Sequence, residues 1–406
     1  MRFITAARRL TQTCIHRLYP LPNPTKLVFM HSSATCPDIC IAGGGIIGLS
    51  LALELHHRGS RVTVFDQGAP LSQASTAAAG MLAVNDPENP TKLSPLSSLS
   101  ISLYPNYLDR LFELSGLHVP FQTNSTLQAL SHESLASSNT LTAAELSHLL
   151  PQLTPGDHRF TLLEEHSLDP RELARVLLAA VRNTDIDLRP HTPVRMVRSL
   201  NQPVEVHAST GIIHPSFFVD CTGAWAITSS RLPHLHVTPR KGQMLSVSLP
   251  PSFPLHFVVR TPDIYIVPRT ADPASPRAII GATVEDAGFD TTVHSSDIAS
   301  LRAKASALLP LLAHAPELET WASIRPATPD ELPILGPLPG QTNHLLATGH
   351  YRNGILLAPA TAHVIAQLIY NETPSIGLSA YAPDRRPSTR PNTKVAQPFR
   401  YSPTEP

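Results

Sequence analysis

PDICIAGGGIIGLSLALELHHRGSRVTVFDQ, residues 37–67, decides how the chain is read. It opens with a short apolar strand, Ile39 to Ala42, and continues into Gly43-x-Gly45-x-x-Gly48. A helix follows, with Leu49, Leu51, Leu53 and Leu55 among small residues, and Gly59 ends it. A second strand, Val62 to Phe65, finishes on Asp66. Gly43 permits a tight turn, Gly45 lets backbone approach a pyrophosphate, and Gly48 lets helix and strand pack closely. The helix mouth at Ile46 and Ile47 offers free N–H groups and a positive dipole end to phosphates. Asp66, 23 residues after Gly43, is spaced to accept hydrogen bonds from ribose hydroxyls. An acid there argues against a 2′-phosphate, so NADP is disfavoured and FAD or NAD remains.

A regular βαβαβ series would favour NAD, and this chain breaks it. After Asp66 comes a small-residue loop, SQASTAAAGMLA (72–83), then a Pro/Ser-rich crossing to a helix near 100–115. Long loops inside compact domains are usually functional. Ser75 and Thr76 carry hydroxyls suited to the second phosphate. The run Ala77, Ala78, Ala79, Gly80 is small enough for a flat ring to lie against the backbone. A flexible Ala/Ser linker is the plainer reading, and Met81-Leu82 directly behind it argues against that.

At 406 residues the chain has room for two domains at ~150 residues each. Formal net charge is +0, which gives no support to a nucleic-acid or anionic-membrane partner. No run approaches the ~18 apolar residues of a membrane span. Four scattered cysteines (Cys14, Cys36, Cys40, Cys221) without CxxC speak against a disulfide framework or zinc site, and for a reducing, cytoplasmic setting. The 20 histidines include no HExxH, so no metal is expected. Residues 1–36 are expected to be disordered or untranslated. Five basic residues and no acid precede Asp38, which suits a transit peptide or, the favoured reading, a start at Met30. The end of the chain, 373–406, is expected to be a disordered tail, Pro- and Arg-rich from Ser379 on.

The front motif, ASTAAAGM (74–81) and the tail motifs WASIRPATPDELPILGP (321–337) and ATGHYRNGILLAPATA (347–362) together resemble the glycine oxidases of the D-amino-acid oxidase superfamily. Within these, the likeness is to the bacterial enzymes of thiamine biosynthesis, and it runs from about Pro37 to Tyr370. The resemblance implies an α/β (α+β) fold: a Rossmann-like FAD-binding domain of discontinuous segments (37–115, 165–240 and 320–372), and an antiparallel-sheet substrate domain (116–164 and 241–319). It also implies that Val194 meets the adenine, and that Thr222-Gly223 after a returning strand approaches FAD. The mouth of a helix at Asn353, Gly354, Ile355 and Leu356 would face the flavin. Trp225 is placed either near the flavin or in the core. No cysteine follows Cys221, so FAD is expected to be noncovalent.

At the substrate end, the resemblance matches Arg325 to a carboxylate-binding arginine, Tyr265 to a tyrosine that helps it, and Arg352 to a second arginine. An arginine fork suits a carboxylate. The plainer readings are a strand-end surface arginine and an ordinary strand aromatic. His350 is given no role. The implied reaction is oxidation of glycine, sarcosine or short D-amino acids by hydride transfer to flavin. O2 would become H2O2, and the imine would pass to thiazole synthesis, with a possible hand-off to a thiazole synthase. The family also suggests a homo-oligomer. The competing readings are a D-amino acid dehydrogenase using another electron acceptor, and a non-catalytic binding protein.

Overall fold

The computed structural model describes residues 38–130, 139–198, 204–226, 232, 235–253, 255–272 and 274–387. The expectations for residues 1–36 and 388–406 lie outside them. The chain starts as β1 (Asp38–Ala42), α1 (Ile46–His57) and β2 (Arg61–Phe65), followed by α2 (Ala74–Ala77) and the long α3 (Ser94–Ser115). Then come β3 (Phe121–Thr123), β4 (Thr126–Ala129), α4 (Ala143–Leu149), β5 (Phe160–Leu163), β6 (Ser167–Leu168) and α5 (Pro170–Arg182). Short strands continue as β7 (Asp187–Arg189), β8 (Val194–Arg198), β9 (Glu205–Ala208), β10 (Gly211–Ile213) and β11 (Phe217–Asp220). The next are β12 (Thr238–Ser248), β13 (Val258–Arg260), β14 (Tyr265–Arg269), β15 (Arg277–Gly281) and α6 (Ser295–Leu308). The last are β16 (Glu317–Ala327), β17 (Ile334–Pro337), β18 (His344–Thr348) and α7 (Gly354–Ile369).

Six strands, far apart in sequence, make the first sheet in the order β17-β18-β11-β1-β2-β7. Its pairings are parallel except β17–β18. Its central strands read as apolar runs because both faces are covered: Ile39, Ile41, Val62 and Val64 pack under the helices, while Cys40, Ala42, Phe65 and Phe218 pack on the three-stranded sheet β10-β9-β8. α1 is buried nearly all round, with Leu49, Leu51, Leu53 and Leu55 in one core with α3, α5 and α7. α5 shows the ordinary surface pattern: Leu173, Val176, Leu177, Ala180 and Val181 are buried while Arg171, Arg175 and Arg182 are not.

α7 carries Pro359 in its interior, where the missing N–H would strand the Ile355 carbonyl. Tyr104 of α3 supplies the donor instead, its hydroxyl reaching Ile355 O at 2.5 Å. One residue on, Ser100 Oγ donates to Leu356 O at 2.6 Å and accepts from Ala360 N–H at 3.2 Å, bridging the opened turn.

The second large sheet has seven strands among the described residues, in the order β16-β12-β15-β14-β13-β4-β5. One face packs on α4 and α6 through Leu245, Ile266, Ile280, Ile298 and Leu301. The other face carries Met244, Tyr265 and Ile279 toward the first sheet's side. Two details depart from expectation. The β13–β4 pair is parallel within a sheet expected to be antiparallel, because the chain crosses the whole fold between those strands. β16 pairs with β12 from Thr238↔Ala327 onward, so residues 238–240 and 320–327 sit with this sheet and not in the flavin-side segments.

The chain end also differs. Tyr381 is 1% exposed and donates to Lys92 O at 2.7 Å. Arg385 grips both Asp330 oxygens at 2.9 and 3.0 Å. Residues 373–387 are thus packed on β17 and its approach, not a disordered tail. No described helix is long and apolar enough to cross a membrane.

Candidate active site

A cavity of about 1570 Å³ lies at the carboxyl ends of the parallel strands and beneath the seven-stranded sheet. Drug-sized pockets hold ~300–1,000 Å³, so this one has room for a dinucleotide with a small substrate beyond it. Its walls run from Asp66 and Val194, past Gly45 and Thr222, to Tyr265 and Arg325.

The dinucleotide end is built by close packing. Gly43 has φ +103, and a Cβ there would collide with the Cys221 carbonyl; one on Gly48 would collide with Gly43 O. Glycine is required at both places so that β1, α1 and β11 can meet. The Asp66 carboxylate accepts from Gly44 N–H at 2.7 Å and Gly68 N–H at 2.8 Å. These bonds fix it at the cavity wall with lone pairs to spare for ribose hydroxyls. Ser75 Oγ sits at the mouth of α1, accepting from Ile46 N–H at 2.9 Å. Gly45, Ile46 and Ile47 line the cavity beside it. Thr222 caps its own turn on Asp220, by N–H at 2.9 Å and hydroxyl at 2.5 Å. Gly223, at φ +61, accepts from Thr348 Oγ1 at 2.9 Å. A helix mouth with Ser75 Oγ set on its first amide, glycines where backbone must come close and an acid at the ribose distance suit FAD.

At the far end, Ala78, Ala79, Gly80 and Met81 line one wall and Asn353, Gly354 and Ile355 another. Asn353 caps α7 without a side-chain bond to the helix, and its Nδ2 donates to Asn89 Oδ1 at 3.0 Å. Three cofactor expectations shift. Thr76 turns its hydroxyl to Leu71 O at 3.0 Å and does not line the cavity. Leu356 points into the core at 1% exposure. Trp225 is no core residue: it is 37% exposed at the rim, packed on Phe289 with ring centroids 5.2 Å apart. Gly80 lines the wall, but what forbids a side chain there is collision with Leu168 O and Pro170.

The substrate-end residues come together. Arg325 on β16 lies over Gly242, where any Cβ would collide with the guanidinium. Its Nη1 donates to Thr283 O at 3.1 Å and Lys241 O at 3.3 Å, which aims the rest of the fork at the cavity. Tyr265 on β14 lies over Gly281 in the same way, its hydroxyl 3.2 Å from Met244 Sδ. Burial pushes the Tyr265 hydroxyl above its ordinary pKa, with Arg325 and Arg352 opposing, so it remains a donor at neutral pH.

Arg352 is held differently. Its Nη2 is 3.2 Å from Asp86 Oδ2 and its Nη1 3.3 Å from Glu88 Oε2, so much of its charge is already matched. Asp86 and Glu88 were not foreseen, although they are the only acids between Asp66 and Asp109. His350, 4% exposed, meets Thr361 Oγ1 at 3.0 Å, and burial pushes its pKa down to about 3. Among the described residues no group of acids, histidines and cysteines could hold a metal.

Residues 38–368 match the family described as DAO, FAD dependent oxidoreductase. The bifunctional protein ThiO/ThiG of Trichormus variabilis is 39% identical over 359 residues, covering 82% of this chain and 53% of its own length. The chain thus spans about half the length of that relative. The glycine oxidase of Pseudomonas putida is 30% identical, over 86% of this chain and 99% of its own. The crystal structure of glycine oxidase from Geobacillus kaustophilus superposes with a TM-score of 0.78 at 28% identity, covering 85% of this chain and 98% of that one. Cavity, cradle and kinship agree, and the chain belongs to the DAO family of FAD-dependent oxidoreductases.

Proposed function

We propose that this protein oxidises glycine, and small amines such as sarcosine or short D-amino acids, to the imine. The observation that carries the reading is Arg325 and Tyr265 facing the same cavity as the dinucleotide cradle. The glycine oxidase and ThiO/ThiG relatives point the same way. Gly43, Gly45, Ile46, Ile47, Gly48, Asp66, Ser75 and Thr222-Gly223 would hold the adenosine and pyrophosphate of FAD, noncovalently. Residues 78–81 and 353–355 would border its ring. FAD, when bound, would supply the two-electron acceptor for the hydride leaving the substrate Cα, with O2 as the final oxidant and H2O2 as its product. The protein's own part is to hold the substrate carboxylate on the Arg325 fork and the Tyr265 hydroxyl, with Cα toward the ring. Such positioning supplies much of the rate. Arg352, tied to Asp86 and Glu88, shapes the pocket's third side. His350, neutral and buried, takes no proton in this scheme.

The imine would serve thiazole assembly for thiamine, with hand-off to a thiazole synthase; the fused ThiO/ThiG relatives support that partner. A cytoplasmic homo-oligomer completes the proposal. The test is anaerobic bleaching of the flavin by glycine, sarcosine and D-alanine, then peroxide release in air. Glycine should bleach wild type. Arg325→Ala should slow bleaching about 100-fold, in line with ~1.5–3 kcal/mol for a charged hydrogen bond. Bleaching at the wild-type rate would remove Arg325 as the anchor. Bleaching without peroxide would favour the dehydrogenase.

A further inference from the structure

Three carbonyls of the segment 77–80 are each taken by a donor behind the cavity wall. Trp321 Nε1–H donates to Ala77 O at 3.1 Å, Arg269 Nη2 to Ala79 O at 2.7 Å, and Leu168 N–H to Gly80 O at 3.0 Å. A trans peptide is planar, with the next residue's N–H opposed to its C=O. Fixing these carbonyls outward turns the N–H groups of Ala78, Gly80 and Met81 the other way. The cavity lies there, and all three residues line it. Among the described residues neither Gly80 nor Met81 N–H has an acceptor.

Arg269 and Trp321 do not line that cavity; they reach the segment only from behind. Arg269 is 6% exposed, with Nε 3.4 Å from Asp169 Oδ2. Asp169 also takes Arg277 Nη2 at 3.1 Å and caps α5 by accepting from Arg171 N–H at 2.9 Å. Arg171 lies over the Trp321 ring at 5.1 Å and pairs with Glu319 at 2.7 Å. Three guanidinium groups therefore face two carboxylates, and the cluster carries net positive charge one peptide away from the wall. Burial pulls the Arg269 pKa down to about 10, which still leaves it charged at neutral pH.

We propose that Arg269 and Trp321 are positioning residues that raise the flavin's redox potential through the backbone of residues 77–80. They hold the 77–78 and 79–80 peptides with N–H groups turned to the ring, and Arg269 polarises the second peptide so that Gly80 N–H donates more strongly. Linked hydrogen bonds polarise one another in a low-dielectric interior, and fixed donors favour the electron-rich reduced ring. The proposal rests on the reading that the ring lies along residues 78–81. It does not need glycine to be the substrate.

The test is the midpoint potential of the purified holoprotein, equilibrated with reference dyes, together with the visible spectrum of the oxidised flavin. Arg269→Met should lower the reduced-to-oxidised ratio at fixed potential about 10-fold, or about 30 mV for a two-electron couple. Trp321→Phe keeps the ring over Arg171 and loses only the donor, and should shift the ratio about 3-fold in the same direction. Arg269→Lys should fall between wild type and Arg269→Met. A cluster that merely fastens the sheet would change thermal stability and leave potential and spectrum alone; that result in Trp321→Phe and either Arg269 variant overturns the proposal. Should Arg269→Met fail to retain flavin, Trp321→Phe and Arg269→Lys decide it by the same criterion. Failure of glycine to bleach the wild-type flavin would count against the substrate reading only.

Discussion

Two glycines explain why the substrate-end residues stand where they do. Gly242 and Gly281 leave no side chain under Arg325 and Tyr265, so a guanidinium and a phenol lie flat on backbone and share one cavity. Arg325 and Tyr265 came forward through the family resemblance, since their residues alone left a surface arginine and an ordinary strand aromatic open; the structure brings both to one cavity. Asp86 and Glu88 were not legible in the sequence, because the partners of Arg352 lie 266 and 264 residues away. His350 shows what burial alone does to a titrating group. Its folded pKa near 3 lies below the ordinary value of ~6.5, so only the unfolded chain takes up the proton between those values. The stability tied to neutral His350 is therefore present above pH ~6.5 and lost as pH falls, by about 1.4 kcal/mol per unit. In denaturant titrations at pH 7, 6 and 5, wild type should lose stability faster than His350→Gln. The gap between them should change by about 1.4 kcal/mol from pH 6 to pH 5. A gap constant with pH would mean that His350 takes up its proton at the same pH in the folded and unfolded chain, so that burial does not hold it neutral.

At the scale of elements, the β1–α1–β2 unit was readable since strand, glycines, helix and acid follow one another within 31 residues. The return of β11 was expected from the family resemblance, and the Phe217–Asp220 strand pairs beside β1 in parallel. The parallel entry of β4 beside β13 was not readable, as no period in sequence reports which strand a segment joins. Nor does sequence show how α7 keeps a proline in its first turns. α3 answers that with Tyr104 and Ser100, whose hydroxyls do what the missing N–H cannot. Tyr104→Phe should strand Ile355 O in the core and cost ~1–3 kcal/mol. In a Pro359→Ala background the helix can bond Ile355 O itself, so the same substitution should cost less, with a coupling of ~0.5–3 kcal/mol. Thermal unfolding of the four proteins in this cycle measures it. Strict additivity would show that Tyr104 contributes packing alone.

Across the whole molecule, the C-terminal segment closes the flavin-side sheet. A disordered tail was expected from residue 373 because the chain is Pro- and Arg-rich from Ser379 on, a composition that usually cannot bury enough apolar surface to fold. Residues 373–387 are held by other means: Tyr381 fills a core site, Leu335 N–H donates to Tyr381 O at 2.8 Å, and Arg385 spans Asp330 and Leu332 O at 2.7 Å. Both members of the Arg385–Asp330 pair are 6% exposed. Burial raises the Asp330 pKa, yet Arg385 more than offsets this and holds it below the ordinary carboxylate range. Removing one partner of a buried pair strands the other and costs ~3–5 kcal/mol, whereas replacing both is often neutral or stabilising. Arg385→Met should therefore lower the unfolding free energy by about 3–5 kcal/mol, and Arg385→Met with Asp330→Leu should recover most of it. Asp330 follows β16, which carries Arg325, so the single variant should also weaken glycine-dependent bleaching and the double variant restore it. Equal loss of stability in the single and double variants would mean that Arg385 acts through Leu332 O and the chain end, and not through its charge.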